Sequence, residues 1–118
     1  MRIIIAGSRQ CYNYELVKKC IEEQDVEITC VLSGDARGVD RLGEKWATEN
    51  NIPVEKYPAN WGEFGRSAGF RRNKEMAEKA DGLIALWDGA SKGTKHMIDI
   101  ATKKDLLVRV IFYKEKNE

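Results

Sequence analysis

No apolar run in this sequence approaches the ~20 residues that a membrane-spanning helix needs. The N-terminus passes from Arg2 straight into isoleucines and shows no leader pattern. A cytoplasmic location, with no membrane partner, is the expectation. Charge of one sign is missing too: 20 Lys and Arg face 19 Asp and Glu, for a net charge of +1. That balance argues against a chain-wide electrostatic grip on nucleic acid but leaves room for a local basic patch. Cysteine is scarce: Cys11, Cys20 and Cys30 are odd in number and lack Cys-x-x-Cys spacing, which points to reduced thiols. Cys20 and Cys30 fall on apolar faces, whereas Cys11 sits beside Arg9 in a loop, where a thiol is either packed or reactive. The single histidine, His96, has no cysteine or histidine partner at metal-ligand spacing, so no metal site is expected. Ser8 and Ser33 have no histidine near them in sequence, and no hydrolase triad is legible. The chain also lacks both Gly-x-Gly-x-x-Gly and a glycine loop ending in Gly-Lys-Ser/Thr, so no standard nucleotide fingerprint is present and no cofactor is expected.

What is present is a regular alternation. Residues 2–6 carry three consecutive isoleucines before Gly7, the pattern of a strand buried on both faces. A helix fits residues 13–24, with Asn13 as cap and Leu16, Val17, Cys20 and Ile21 on one stripe. Strands follow at residues 27–32, 53–57, 82–87 and 106–113. Helices fit residues 39–50, with Val39, Leu42 and Trp46 inward, then 67–80 and 94–104. Residues 58–65, with two aromatics and two glycines, read as an ordered loop, and residues 114–118 as a frayed charged tail. The sum is an α/β, three-layer, Rossmann-like domain over residues 1–118. Its five-stranded parallel sheet has the expected order 3-2-1-4-5.

In such a sheet, ligands bind beyond the carboxyl ends of the strands, where the order reverses between strands 1 and 4. Three small-residue loops share that rim: Gly7-Ser8-Arg9, residues 33–40, and residues 88–94. Ser33-Gly34-Asp35-Ala36-Arg37-Gly38-Val39-Asp40 joins a strand to a helix start, where bare N–H groups and glycine let a phosphate approach. The plainer alternative is a strand-to-helix turn with Asp35 or Asp40 as cap. Thr94 and Gly93 supply a second helix start, and Arg9, Arg37 and Arg72 supply charge. Arg72 stands out because Arg71-Arg72-Asn73 falls near the front of a helix, where a cation gains nothing from the dipole. Trp61, in a polar loop, and Trp87, at a strand end, are candidates to stack on a base, with core packing as the alternative.

Taken together, Gly7-Ser8-Arg9, Ser33-Gly34-x-Ala36-x-Gly38-x-Asp40, Pro58-Ala59-x-Trp61, Arg72-Asn73-x-x-Met76 and Gly93-Thr94 resemble the SLOG superfamily, and within it the YspA/cpYpsA-related branch of bacteria and phages. The resemblance implies a Rossmann-like fold and a nucleotide or nucleotide-derived ligand, ADP-ribose-like in kind. The implied ligand-binding set is Gly7, Ser8, Arg9, Gly34, Asp35, Arg37, Gly38, Asp40, Trp61, Arg72, Asn73, Asp88, Gly93 and Thr94. Two relatives imply competing activities. The Lonely Guy phosphoribohydrolases cleave the N-glycosidic bond of nucleoside monophosphates, and Arg72 matches their arginine as a catalytic residue if this chain is an enzyme. Their catalytic glutamate falls on Met97, which moves no proton. Asp88 and Asp99 are the substitutes, Asp99 lying ~200° around a helix from Met97. The DNA-processing protein DprA shares the Gly-Ser-Arg and Arg-Asn elements and implies single-stranded DNA as partner, with Arg66, Arg71, Lys74 and Phe64 adding to a groove. Relatives often dimerise, so a homodimer is the implied oligomer.

Overall fold

The computed structural model describes residues 1–114. Five strands form one parallel sheet of order β3-β2-β1-β4-β5, as the alternation predicts. In chain order the elements are β1 (Arg2–Gly7), α1 (Tyr14–Glu23), β2 (Cys30–Ser33), α2 (Val39–Glu49), β3 (Val54–Lys56), α3 (Trp61–Phe64), α4 (Ala68–Lys79), β4 (Gly82–Trp87), α5 (Lys92–Lys103) and β5 (Leu107–Phe112). No helix among the described residues is long and apolar enough to cross a membrane.

Successive side chains of a strand point to opposite faces, which splits the core in two. Ile3 and Ile5 face one side with Val31, Ile84 and Leu86, and α1 and α2 cover them with Val17, Cys20, Ile21, Trp46 and Ala47. Ile4 faces the other with Leu32, Leu83 and Ala85, under Met76 and Ala77 of α4 and Met97 and Ala101 of α5. All three isoleucines are fully buried, each contributing roughly 1.5–3 kcal/mol from burial. Cys20 and Cys30 are core residues. Cys11 is buried as well, at 4% exposure, which removes the reactive-thiol reading.

Several boundaries differ from the sequence expectation. β2 starts at Cys30 instead of residue 27, because β1 starts at Arg2 and Arg2 is the partner of Cys30. Before that point the hydrogen bonds are with Met1 and form no ladder: the Thr29 N–H donates to the Met1 carbonyl, and the Glu27 carbonyl accepts from the Met1 ammonium, each at 2.9 Å. The expected loop at residues 58–65 contains a helical turn, α3, because the Asn60 side chain accepts the Glu63 N–H at 3.1 Å. A 3-10 turn, Gly65–Ser67, links α3 to α4. α5 begins at Lys92, two residues earlier than expected, since Ser91 and not a later residue is its cap. The frayed-tail expectation falls mainly on residues 115–118, which lie outside the described residues.

One close approach positions the whole rim. Gly38 has φ +79°, and a Cβ there would lie 2.3 Å from the Ser8 carbonyl oxygen. Without it, the start of α2 lies directly on the loop after β1, and the Val39 N–H donates to that same Ser8 oxygen at 3.1 Å. Gly38→Ala meets backbone on backbone, in a conformation side chains rarely adopt. It is expected to lower stability by about 2–4 kcal/mol in urea unfolding. Gly93→Ala, with nothing within 4 Å of the new Cβ, is expected to change it by less than ~1 kcal/mol; equal effects of the two would contradict this packing.

Candidate functional site

The sheet order reverses between β1 and β4, and the loops after β1, β2 and β4 meet there. The loop after β1 is held by its own backbone. Ser8 donates its N–H to the Leu86 carbonyl at 3.3 Å, and its hydroxyl accepts the Gln10 N–H at 3.1 Å. Ser8 is therefore buried and engaged, leaving Arg9 exposed at the mouth.

The loop after β2 is braced from beneath. The buried Ser33 hydroxyl donates to Glu44 Oε2 at 2.6 Å and accepts the Asp35 N–H at 3.1 Å. Lys56 Nζ pairs with the other Glu44 oxygen at 3.5 Å. Asp35 adopts φ +58°, a left-handed conformation tolerated here because Ser33 holds its N–H. Its carboxylate faces Arg41 at 3.2 Å, an ion pair without hydrogen-bond geometry. The Asp40 Oδ2 accepts the Ala36 N–H at 3.2 Å and closes the turn. Asp40 therefore closes the turn as the cap reading expects, and the same side chain also lines the recess described below.

Arg72 lies in the second turn of α4, not at its front, so the helix-start argument for it does not apply. What holds it is a set of acceptors. Its guanidinium donates to the Gly34 carbonyl and, at 3.5 Å, to the Tyr57 carbonyl. Its Nε donates to Asn73 Oδ1 at 3.0 Å. Asn73 in turn donates to the Gly93 carbonyl at 3.2 Å and lies 3.2 Å from His96 Nδ1. A chain of side chains therefore runs from α5 through α4 to the loop after β2. Gly34 is bare because a Cβ there would sit 2.6 Å from Arg72 Nη1 and 2.8 Å from Asp40 Oδ2. Burial pulls the Arg72 pKa down, with Asp40 opposing. Among the described residues its Nη2 has no hydrogen-bond acceptor.

Two adjoining hollows open at this rim. The outer one is a cleft of about 360 Å³ lined by Arg9, Arg37 and Arg72, by Pro58, Ala59 and Trp61, and by Gly34, Asp35 and Ala36. Trp61 is 50% exposed, and Arg9 lies 5.8 Å over its ring. The inner one is a recess of about 60 Å³ that shares Arg9, Ala36 and Arg72 with the cleft. Asp40, Gly7 and Asn73 wall it, and Ser91, Gly93 and Thr94 close its far end at the start of α5. Met76 and Met97 form an apolar floor that the sequence argument did not assign. Ser91 was missed as well; a serine three residues before a threonine lacks the usual glutamate of a capping box. It caps α5 by accepting the Thr94 N–H at 3.4 Å.

Three expected residues line neither hollow: Ser8, Gly38 and Asp88. Ser8 and Gly38 shape the rim from behind. The Asp88 carboxylate accepts the N–H groups of Ala90 and Ser91 at 2.9 and 2.8 Å, which lowers its pKa and holds it as an anion within its own loop. Asp99 is exposed and paired with Lys95 at 2.8 Å. Neither lines the recess that Met97 lines. Trp46 is a core residue. Trp87 packs 5.4 Å from Phe112, donates to the Ser91 carbonyl at 3.1 Å and lines neither hollow. His96 packs on Phe70 at 4.2 Å, and burial lowers its pKa.

Asp40 is the one carboxyl in the recess. Burial, opposed first by Arg72 and then by the Ala36 N–H, pushes its pKa from 3.8 up to about 7. The folded protein thus holds this proton more tightly than the unfolded chain, and Asp40 costs stability as pH rises from about 4 to about 7. Asp40→Asn keeps an acceptor for the Ala36 N–H and removes the titration. Its stability relative to the parent protein is expected to be near zero at low pH and to grow by roughly 3–4 kcal/mol across that interval. Urea unfolding at several pH values measures this, and a difference that shrinks with pH would contradict it.

The chain matches the YspA, cpYpsA-related SLOG family over residues 1–64, which takes in β1 through α3 and stops before Arg72. Among solved structures it is similar to DNA processing protein A (DprA) from Streptococcus pneumoniae, with a TM-score of 0.76 at 18% sequence identity. The likeness covers 92% of this chain and 49% of that one, so the chain spans about half the length of that protein. At that identity the likeness speaks for the fold. No curated protein matches the chain in sequence. With more than half of its length matched, including the loops after β1 and β2 that build the rim, the chain belongs to the YspA, cpYpsA-related SLOG family.

Proposed function

We propose that the rim binds a nucleotide or nucleotide-derived phosphate ligand of the ADP-ribose kind. The observation that carries this reading is the pairing of a half-exposed Trp61 with Arg9, Arg37 and Arg72 around one cleft that continues to the start of α5. Its volume of about 360 Å³ falls in the range of small-molecule sites. A purine or similar ring stacks on Trp61 between Pro58 and Ala59, while phosphate oxygens meet the arginines and the helix start. Arg72 acts mainly as the brace that holds the Gly34 carbonyl, and it presents Nη2 to the ligand. With its other donors engaged by the protein, it is a weaker candidate for a catalytic group than for a binding one.

The test is calorimetric titration with AMP, ADP and ADP-ribose. Trp61→Ala and the double change Arg9→Ala/Arg37→Ala should each weaken the best ligand at least ~10-fold, about 1.4 kcal/mol. These residues are exposed at the surface, so folding should be unaffected. No binding to the parent protein, or variants that bind like it, would overturn the reading.

A second reading is favoured by one further feature. Phe64 and Phe70 are also exposed, and Arg71 lies 4.4 Å over the Phe64 ring, extending the Trp61 surface along α3 and α4. Cationic and aromatic side chains interleaved in this way suit single-stranded nucleic acid, and the fold neighbour is titled a DNA processing protein. Binding of an oligothymidylate that weakens steeply with salt, and more than ~10-fold in Phe64→Ala/Phe70→Ala, is the expected outcome. A salt-independent or absent complex removes this reading.

A further inference from the structure

The recess poses an electrostatic problem that the nucleotide reading leaves open. The start of α5, a twelve-residue helix, presents its positive end there, with Gly93 open and Thr94 buried beside it. Such a place draws an anion. Yet the opposite wall is a carboxyl: Asp40 is only 6% exposed and lines the same recess. One of its oxygens takes the Ala36 N–H; the other has no hydrogen bond among the described residues and is not sealed off. An ionised Asp40 and a phosphate dianion facing each other across about 60 Å³ would repel. A protonated Asp40 would instead donate a hydrogen bond to it.

We infer that Asp40 shares a proton with an anionic phosphate group seated in the recess, so that binding there takes up a proton. This rests on the nucleotide reading and assigns a residue that discriminates among ligands by their charge. The groups facing Asp40 are consistent with such a balance. Arg72 from α4 and Arg9 from the loop after β1 favour its ionised form, while Glu44 on its own helix disfavours it. The α5 start adds neutral Gly93 and Thr94. With the burial described above, these leave Asp40 near half-protonated at neutral pH in the free protein. A nearby anion then tips it to the neutral form. A ligand that placed a sugar hydroxyl on Asp40 would do the reverse, since a hydroxyl donates best to the ionised carboxylate and binding would release the proton.

Sulfate tests this, because it stays a dianion from about pH 5 to pH 9 and carries no titration of its own. Its affinity for the parent protein should fall about tenfold between pH 6 and pH 8. Asp40→Asn, whose amide donates at every pH, should bind with no such slope, and at pH 8 at least as tightly as the parent at pH 6. A merely structural role for Asp40 would not produce that gain. Gly93→Asp, which adds a carboxylate in open space at the helix start, should abolish sulfate binding while the thermal midpoint stays unchanged. A flat pH response in the parent, a slope kept in Asp40→Asn, affinity rising with pH, or no sulfate binding at any pH would each overturn the inference. AMP titrated in parallel separates the two claims. AMP bound without the Asp40-dependent slope sinks the proton-sharing and leaves the nucleotide reading. A sulfate slope without any nucleotide bound does the opposite.

Discussion

A partly buried guanidinium holds the rim of this sheet together. Arg72 comes from the helix that precedes β4, and its acceptors, the Gly34 and Tyr57 carbonyls, follow β2 and β3. It therefore ties α4 to the loops after β2 and β3, which have left the sheet, beside the point where the strand order reverses. Taking a cation partly out of water is costly unless its donors are satisfied and an opposite charge lies near. Here the carbonyls satisfy two donors, Asn73 a third, and Asp40 borders the same space beside Gly34. Gly34 has no side chain because that space belongs to these two groups.

The same burial has opposite effects on the pair. It lowers the Arg72 pKa, although a guanidinium stays charged near neutral pH, and raises that of Asp40 into the physiological range. The result is a site with fixed positive charge and one adjustable negative charge. Trp61 and the exposed arginines of the cleft lie in water. The recess behind them is shaped by backbone contacts and by Asn73, which ties the start of α5 to α4.

Much of this was legible from residue order. The isoleucine run, the apolar stripes and the glycine-bounded turns led to five parallel strands in the observed order, since crossover handedness leaves few alternatives. The three loops were placed on one rim for the same reason. Two misplaced details trace to local side-chain capping. Ser91 starts α5 two residues early, and Asn60 folds a helical turn inside an apparent loop. A single hydroxyl or amide accepting an N–H three residues on decides each, and such signals are too short to dominate a periodicity argument.

By itself the sequence determined the alternation of strand and helix, the sheet order and the set of residues that gather at the switch point. Those follow from periods of 2 and 3.6 residues and from where glycine permits a turn. Only the tertiary structure decided which of the gathered residues face the ligand space. Asp88 is engaged by its own loop, Ser8 by its neighbours, Trp87 by Phe112, and Arg72 partly by a carbonyl 38 residues away. Asp40, read from sequence as either a cap or a ligand contact, closes its turn and also lines the recess, and its affinity for a proton comes from burial. Burial and hydrogen-bond competition are properties of the assembled neighbourhood, built from segments far apart in the chain, and no local pattern encodes them.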